Sequence, residues 1–275
     1  MSPGARIRPC QGGNFQNMSH VFGENPASQP LSLRQMNHPA QQVWLDTPLG
    51  SAVLDLEARV MADALADVFG FELLQIGRWG GRGELCAHAR TQHRCFLAPN
   101  ASGPGAIRAH YDALPIASAS IEAVLLPHTL EHAAHPHALL REVERVLVGE
   151  GHILVCGFNP LGPWGLRHLV ARGSFPPSAT RLLSEGRLRD WLGLLGFEVT
   201  GARRYLFLPP WTTGISARTR TWLEARGSSF AAPLAGAYLV KARKRVRALT
   251  PIRPAWHRAP AVVGGIAEPT SRNAA

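Results

Sequence analysis

The chain has 275 residues, of which 45% are hydrophobic and 17% charged, and it carries a formal net charge of +10. This composition is typical of a globular protein with an ample core, and we expect neither a membrane span of roughly 18 apolar residues nor a secretory signal. The four cysteines show no CxxC spacing, so we predict reduced thiols and a cytoplasmic protein.

The positive charge is concentrated in a basic C-terminal tail. From Lys241 onward the chain has eight Lys and Arg residues against one acid, Glu268, whereas the remainder has twenty-one bases and eighteen acids. Such a tail is most often a solvated extension. The alternative is contact with phosphate, on a nucleic acid or an anionic membrane surface. Because no RNA-binding signature accompanies the tail, we do not favour a nucleic acid as the partner.

The N-terminal part begins with a stretch rich in Pro, Gly, Asn, Gln and Ser, which predicts a disordered extension over residues 1–40. Apolar residues then recur at helical spacing, and three short apolar runs follow them. We predict a helix over Ser51–Phe69, strands over Phe71–Ile76, Arg94–Ala98 and Ile107–Tyr111, and a weak helical stretch that ends at Arg90.

The centre of the chain reads as strand, loop, helix and strand. Ile121–Leu126 is a nearly unbroken apolar run that Pro127 ends, and Pro136 stands where a first helical residue is expected. We predict that Gly149 and Gly151 end this helix and reverse the chain. Ligands bind beyond the carboxyl ends of parallel strands. This principle places a ligand site at the segments 127–135 and 157–160.

The C-terminal part supplies the remaining predicted elements: a lid over Leu161–Thr180, a helix over Ser184–Leu195, and strands over Phe197–Thr200 and Ala237–Lys241. Helices that alternate with strands indicate a doubly wound α/β sheet. We predict one domain over residues 41–245 with a seven-stranded, mostly parallel sheet, followed by a disordered basic tail over residues 246–275.

The central stretch resembles class I S-adenosylmethionine-dependent methyltransferases, nearest to the methyltransferase type 11 domain. The family pattern has an aspartate that opens the strand, a histidine-containing loop, a helix with conserved acid and base positions, and a final strand. Glu122 replaces the aspartate, and Glu150 replaces the first glycine of the usual pair. The matching residues are Pro136, Leu140, Glu142, Arg145, Val146, Leu147, Gly151 and the strand Ile153–Cys156. The resemblance implies methyl transfer from S-adenosylmethionine, and we favour a small-molecule acceptor.

A glycine loop follows the first predicted strand and contains Gly77, Gly80 and Gly81. Glycines allow the backbone to approach a ligand closely. The resemblance implies that this loop binds the methionine part of the cofactor, although Gln75 replaces the usual acid. Asn100 stands where the ribose-binding acid is expected. The alternative is a simple strand-to-helix turn, and the dinucleotide fingerprint is not satisfied.

Two further cofactor segments are implied by the resemblance. Asp112 follows the third strand, where the family's carboxylate accepts a hydrogen bond from the adenine amino group, and Ala113 and Leu114 come next to it. Leu126 and Pro127 end the fourth strand beside the cofactor. The alternative for Asp112 is a solvated loop carboxylate.

The motif HTLEH spans His128 to His132 and formally matches the inverted zincin signature. Zinc binding by this motif needs a helix that presents both imidazoles on one face, which the flanking Pro127 and Pro136 oppose, so we predict no metal. The resemblance implies that His128 or His132 lies near the sulfonium and orients the acceptor or takes its proton. The alternatives are a histidine that only packs the loop, and a methyltransferase-like scaffold without catalysis.

Overall fold

The computed structural model describes residues 39–80, 83–99, 106–171, 175–177, 179–211, 218–219, 222, 224, 227 and 234–246. The predicted site residues Gly81 and Asn100 lie outside the described residues. The same holds for nearly all of the predicted N-terminal and C-terminal extensions, which therefore remain predictions.

The described residues form alternating helices and strands. Their bounds are α1 Pro39–Leu45, α2 Pro48–Leu65, β1 Phe69–Ile76, a 3-10 turn Glu84–Cys86, β2 Arg90–Ala98, β3 Ala106–Arg108, β4 Ile121–Pro127, α3 Thr129–His132, α4 Pro136–Val146, β5 Leu147–Phe158, α5 Pro163–Val170, α6 Glu185–Leu194, β6 Phe197–Tyr205 and β7 Ala237–Lys244.

The strands form a seven-stranded sheet, in the part of the chain that the structure describes, with the order β3-β2-β1-β4-β5-β7-β6. Neighbouring strands from β3 to β5 are parallel, and β7 runs antiparallel to both β5 and β6. The strand order reverses between β1 and β4, which is where α/β sheets bind ligands. This arrangement confirms the predicted doubly wound, mostly parallel α/β fold.

Each face of the sheet packs against its own apolar cluster because successive side chains of a strand point to opposite faces. In β4, Ala123 and Leu125 join α2 on one face, whereas Val124 and Leu126 join α4 and α6 on the other. Burial on both faces explains why β4 reads as an unbroken apolar run.

Three sequence predictions about local structure need correction. Gly149 and Gly151 do not end the central helix, because α4 ends at Val146 and Leu147 already pairs with Ile121. The bend lies inside β5, at Glu150 with φ 63°. The weak helical stretch is a single 3-10 turn, and the predicted lid contains the helix α5.

No helix among the described residues is long and apolar enough to cross a membrane.

Candidate active site

The glycine loop begins at the carboxyl end of β1 and requires glycine at its first position. Gly77 has φ 104°, and a Cβ atom there would lie 2.6 Å from the Thr129 hydroxyl. Thr129 itself donates to the Ile76 carbonyl. The loop therefore packs directly against the segment that follows β4 and has no space for a side chain at this point.

The buried side chain of Gln75 fixes the backbone of the glycine loop through hydrogen bonds. Its buried side-chain amide donates to the Trp79 carbonyl at 2.9 Å, and its carbonyl accepts from the Cys86 thiol at 3.1 Å. A carboxylate at this position has no hydrogen to donate to the Trp79 carbonyl. The replacement of the family's acid by Gln75 thus has a local structural role.

The segment after β3 presents a carboxylate at the same edge of the sheet. Asp112 and Ala113 are exposed, whereas Leu114 is buried. The Leu114 amide donates to Glu142 at 2.8 Å, and the Leu114 carbonyl accepts from Arg145 at 3.0 Å. Both backbone groups of Leu114 are therefore fixed by side chains of α4.

Arg145 ties the rest of this segment to α4. Its guanidinium also donates to the Ile116 carbonyl at 2.9 Å and to the Ser118 hydroxyl at 3.1 Å, and it forms a salt bridge of 2.8 Å with Glu142. The hydrogen bond from Arg145 lowers the pKa of Glu142. The Glu-x-x-Arg spacing in α4 places both side chains on one helical face, so this pair positions the loop that carries Asp112.

A buried ionic cluster lies at the carboxyl end of β4, and His128 is at its centre. The imidazole Nε2 lies 2.7 Å from Glu57 Oε1, and Nδ1 lies 3.2 Å from Glu131 Oε2. The three side chains are between 0% and 1% exposed. Both ring nitrogens of His128 therefore face carboxylates rather than solvent.

Further donors satisfy the two carboxylates. Trp79 Nε1 donates to Glu57 Oε2, and the Tyr205 hydroxyl donates to Glu57 Oε1 at 3.1 Å. The Phe158 amide donates to Glu131 Oε1 at 2.5 Å. These donors matter because a buried carboxylate is stable only when its oxygens are hydrogen-bonded or paired.

The protonation of the cluster follows from burial and the paired charges. Burial lowers the pKa of His128, but the Glu57 and Glu131 carboxylates outweigh it and raise that pKa to about 9. Burial raises the pKa of Glu131, although His128 opposes this effect. The imidazole is therefore a protonated bridge between the two carboxyl groups near neutral pH.

Two aromatic rings pack against His128. The Trp79 ring centroid lies 4.2 Å from the imidazole and the Phe158 centroid 4.1 Å from it. These two centroids are only 5.8 Å apart, so the rings adjoin each other beside the imidazole rather than covering its opposite faces. Trp164 stacks on Phe158 at 5.4 Å, and Trp44 of α1 packs 5.7 Å from Trp79. Because the His128 side chain is fully buried and both of its nitrogens face carboxylates, it contacts an acceptor only if a neighbouring side chain moves.

The structure brings some of the predicted site residues together and separates others. Gly77 lies against Thr129, next to His128, and Pro127 ends β4 beside them. His132 ends the short helix α3 and is partly exposed. Asp112 follows β3, two strands away from β1 on the side opposite to β4. A ligand that contacts both Asp112 and Pro127 must therefore extend across the end of β1.

Sequence reasoning missed several residues that build this site. Glu57 interrupts the apolar face of α2 formed by Val53, Val60 and Met61, and a carboxylate at a core position is a signal of a buried partner. Trp79 is a large aromatic residue among glycines, and such a residue is also a signal of a specific packing contact. Tyr205 gave no comparable signal, because it ends a strand that is otherwise half exposed.

The topology of the sheet and the loops at the carboxyl ends of its strands define a class of protein. A seven-stranded sheet with one antiparallel strand, a glycine turn after β1 and an anchored carboxylate loop after β3 form an α/β methyltransferase fold. A family model described as "Methyltransferase domain", of type 11, matches residues 84–155.

The chain is similar to two uncharacterized bacterial proteins, and it shares its fold with a solved methyltransferase structure. The uncharacterized protein YafS of Escherichia coli K12 is 34% identical over 171 residues, which cover 62% of this chain and 70% of YafS. The uncharacterized protein Rv2003c of Mycobacterium tuberculosis is 31% identical over 225 residues, which cover 76% and 74% of the two chains. A SAM-dependent methyltransferase from Thermotoga maritima superposes with a TM-score of 0.60 at 15% identity, over 78% of this chain and 98% of the other.

The chain belongs to the class I S-adenosylmethionine-dependent methyltransferase family, with a methyltransferase domain of type 11.

Proposed function

We propose that the protein binds S-adenosylmethionine and transfers its methyl group to a small-molecule acceptor. The observation that carries this proposal is the Asp112 loop. Arg145 and Glu142 hold its backbone while the Asp112 carboxylate remains exposed at the edge where the Gly77 turn lies. A loop that is rigid but leaves its carboxylate free is suited to hydrogen-bond a ligand.

The residues present fit the adenosine half of the cofactor. The exposed carboxylate of Asp112 is an acceptor for the adenine amino group, and Ala113 and Leu114 border the ring. The Gly77 turn, which has no room for a side chain, lets the backbone approach the methionine half. Pro127 ends β4 at this edge, whereas the side chain of Leu126, which was also expected to bind the cofactor, packs in the core against α4 and α6.

Bound S-adenosylmethionine would supply a methyl group already activated by its sulfonium, with a neutral thioether as the leaving group. The chain's own contribution is to position the acceptor and to exclude water. A buried cluster of aromatic side chains lies on the face of the sheet that α2 covers. It consists of Trp44, Trp79, Phe158 and Trp164. Aromatic faces also favour a neighbouring cation.

His128 acts in this proposal as a positioning residue rather than as a base. Its protonated imidazole holds Glu57 and Glu131, and through them it fixes Trp79 and the Phe158 amide. A protonated ring has no lone pair to accept a proton from an acceptor. His132, which is partly exposed on α3, is the remaining histidine of the motif for direct contact with the acceptor.

A second candidate function is supported by Trp79, a large side chain inside the glycine loop. Its indole is fully buried between Trp44 and His128 and fills space near the methionine half of the site. This observation favours a methyltransferase-like binding protein that has lost cofactor binding.

Calorimetric titration with S-adenosylmethionine separates the two candidates. We expect micromolar binding to the full chain, and Asp112→Ala should weaken it by roughly ten- to a hundred-fold because a charge-assisted hydrogen bond is lost. The matched control Asp190→Ala removes an exposed carboxylate of α6 and should bind like the wild type. Absence of heat with the wild-type chain contradicts the enzyme and supports the scaffold.

A further inference from the structure

The cover of the carboxyl edge exposes large apolar side chains. We define the cap as the described residues among 159–184, which follow β5, and among 206–236, which follow β6. Seven of its large apolar side chains are each between 56% and 85% exposed. We call this set the apolar rim, and it consists of Leu161, Leu166, Leu169, Val170, Trp211, Trp222 and Leu234.

Contacts between the two cap segments place the apolar rim on one surface. Arg167 of α5 donates to the Pro210 carbonyl, next to Trp211, and Trp164 Nε1 donates to the Leu208 carbonyl at 2.8 Å. Asn159 donates to the Ala235 carbonyl at 2.9 Å, and Leu161 and Leu234 line the same cleft of about 290 Å³. The two segments therefore form a joined surface rather than separate loops.

The helix α5 presents an apolar face on the outside as well as the inside. Trp164 and Gly165 are buried, whereas Leu166, Leu169 and Val170 are exposed at the spacing i, i+3 and i+4. This spacing places the three exposed side chains on one face. A helix at the surface of a protein that meets only water normally has polar residues there.

The cap also carries an excess of positive charge. Residues 237–245 do so as well, but their bases form salt bridges with acids of other elements. The two sequence segments of the cap contain six arginines and one acid, Glu224, whereas residues 1–158 contain eleven bases and fourteen acids. Glu224 accepts from the backbone amides of Leu206 and Phe207, so its charge is directed into the protein. Arg181 and Arg218 are exposed on the cap.

We propose that the apolar rim docks onto an anionic phospholipid bilayer. Exposed Leu, Val and Trp side chains insert into the interfacial region, and the exposed arginines of the cap, Arg181 and Arg218, bind the lipid phosphates. Five of the seven rim residues are aliphatic. Aliphatic side chains do not stack on bases, so the surface suits a bilayer better than single-stranded nucleic acid. Docking does not depend on methyl transfer.

Vesicle co-sedimentation of the full chain tests this proposal. The probes are vesicles of phosphatidylcholine alone and vesicles of phosphatidylcholine mixed with phosphatidylglycerol. We expect binding to the mixed vesicles and little to the neutral ones. The double variant Leu169→Glu/Val170→Glu should lose about tenfold or more in partitioning, because it removes inserted apolar area and adds repelling charge.

The matched control is the double variant Phe71→Glu/Leu194→Glu, which adds the same charge at exposed apolar positions of β1 and the C-terminal end of α6, outside the cap. It should bind mixed vesicles within about twofold of the wild type. Both variants change exposed side chains, and equal melting temperatures verify their folding.

Equal loss in the two variants, or none in either, overturns the proposal, because binding would then come from net charge such as that of the C-terminal tail. Concentration-dependent dimerisation that the cap variant abolishes, without vesicle binding, also overturns it and assigns the rim to a second copy. Tight binding of a single-stranded RNA probe in place of vesicles overturns it in favour of nucleic acid.

Discussion

Two ionic networks of the domain have similar chemistry but opposite surroundings. His128 lies between Glu57 and Glu131, and all three side chains are essentially without solvent contact. Arg145 pairs with Glu142, and these side chains are 34% and 21% exposed. The buried network depends on every member because an unpaired charge there cannot be hydrated. The exposed one acts mainly through its directional hydrogen bonds to the loop backbone.

The largest expected effect comes from removing the centre of the buried network. In His128→Ala, two carboxyl groups face each other without a cation, and we expect a loss of about 3–5 kcal/mol in the free energy of unfolding. Urea denaturation followed by circular dichroism measures it. A loss below that of the Arg145 variant described below would show that the buried carboxylates do not depend on the imidazole.

The pH dependence of stability should reveal the same cluster. The folded pKa of His128 is raised from 6.5 to about 9, so its stabilisation is complete below pH 6.5 and is lost as the pH rises towards 9. The difference corresponds to about 3 kcal/mol. The raised pKa of Glu131 also makes the stability fall as the pH rises, and this loss begins at the usual pKa of a glutamate, near 4.5.

Denaturation at a series of pH values from 6.5 to 9 checks this prediction. The pKa of the partly buried His152 is lowered, mainly by burial, so its contribution falls below this range. His128→Ala should flatten the slope. Wild-type stability that stays constant up to pH 9 would mean that the imidazole is neutral in the folded protein.

A smaller effect is expected from the exposed network. Arg145→Ala removes the hydrogen bonds to the Leu114 and Ile116 carbonyls, which we expect to cost about 1–2 kcal/mol because water replaces the guanidinium at this partly exposed site. Hydrogen exchange should increase in the backbone from Asp112 to Ser118. Unchanged exchange in this segment would contradict the positioning role of α4.

The smallest effect is expected at a surface pair that belongs to neither network. Arg203 and Asp63 lie 2.6 Å apart with side chains 54% and 69% exposed. We expect Asp63→Ala to change the free energy of unfolding by less than about 0.5 kcal/mol, because exposed pairs are well solvated. Urea denaturation provides the measurement. A larger change would show that the exposure of an ion pair does not predict its contribution to the free energy of unfolding.

The amino-acid sequence by itself determined the order of strands and helices and the class of fold. β4 reads as apolar because both of its faces are covered, and α4 shows its apolar face at helical spacing; both are local patterns. The glycine turn after β1 and the carboxylate after β3 were predicted as cofactor segments from the resemblance to the methyltransferase family.

Only the tertiary structure decided what surrounds His128. Glu57 lies 71 positions before His128, and Tyr205 lies 148 positions after Glu57, so no spacing rule connects them. They meet because α2 packs on the same face of the sheet that Tyr205, at the end of the edge strand β6, also lines. That packing converts a predicted acceptor-facing histidine into an enclosed, protonated bridge, because burial and two carboxylates act on it at once.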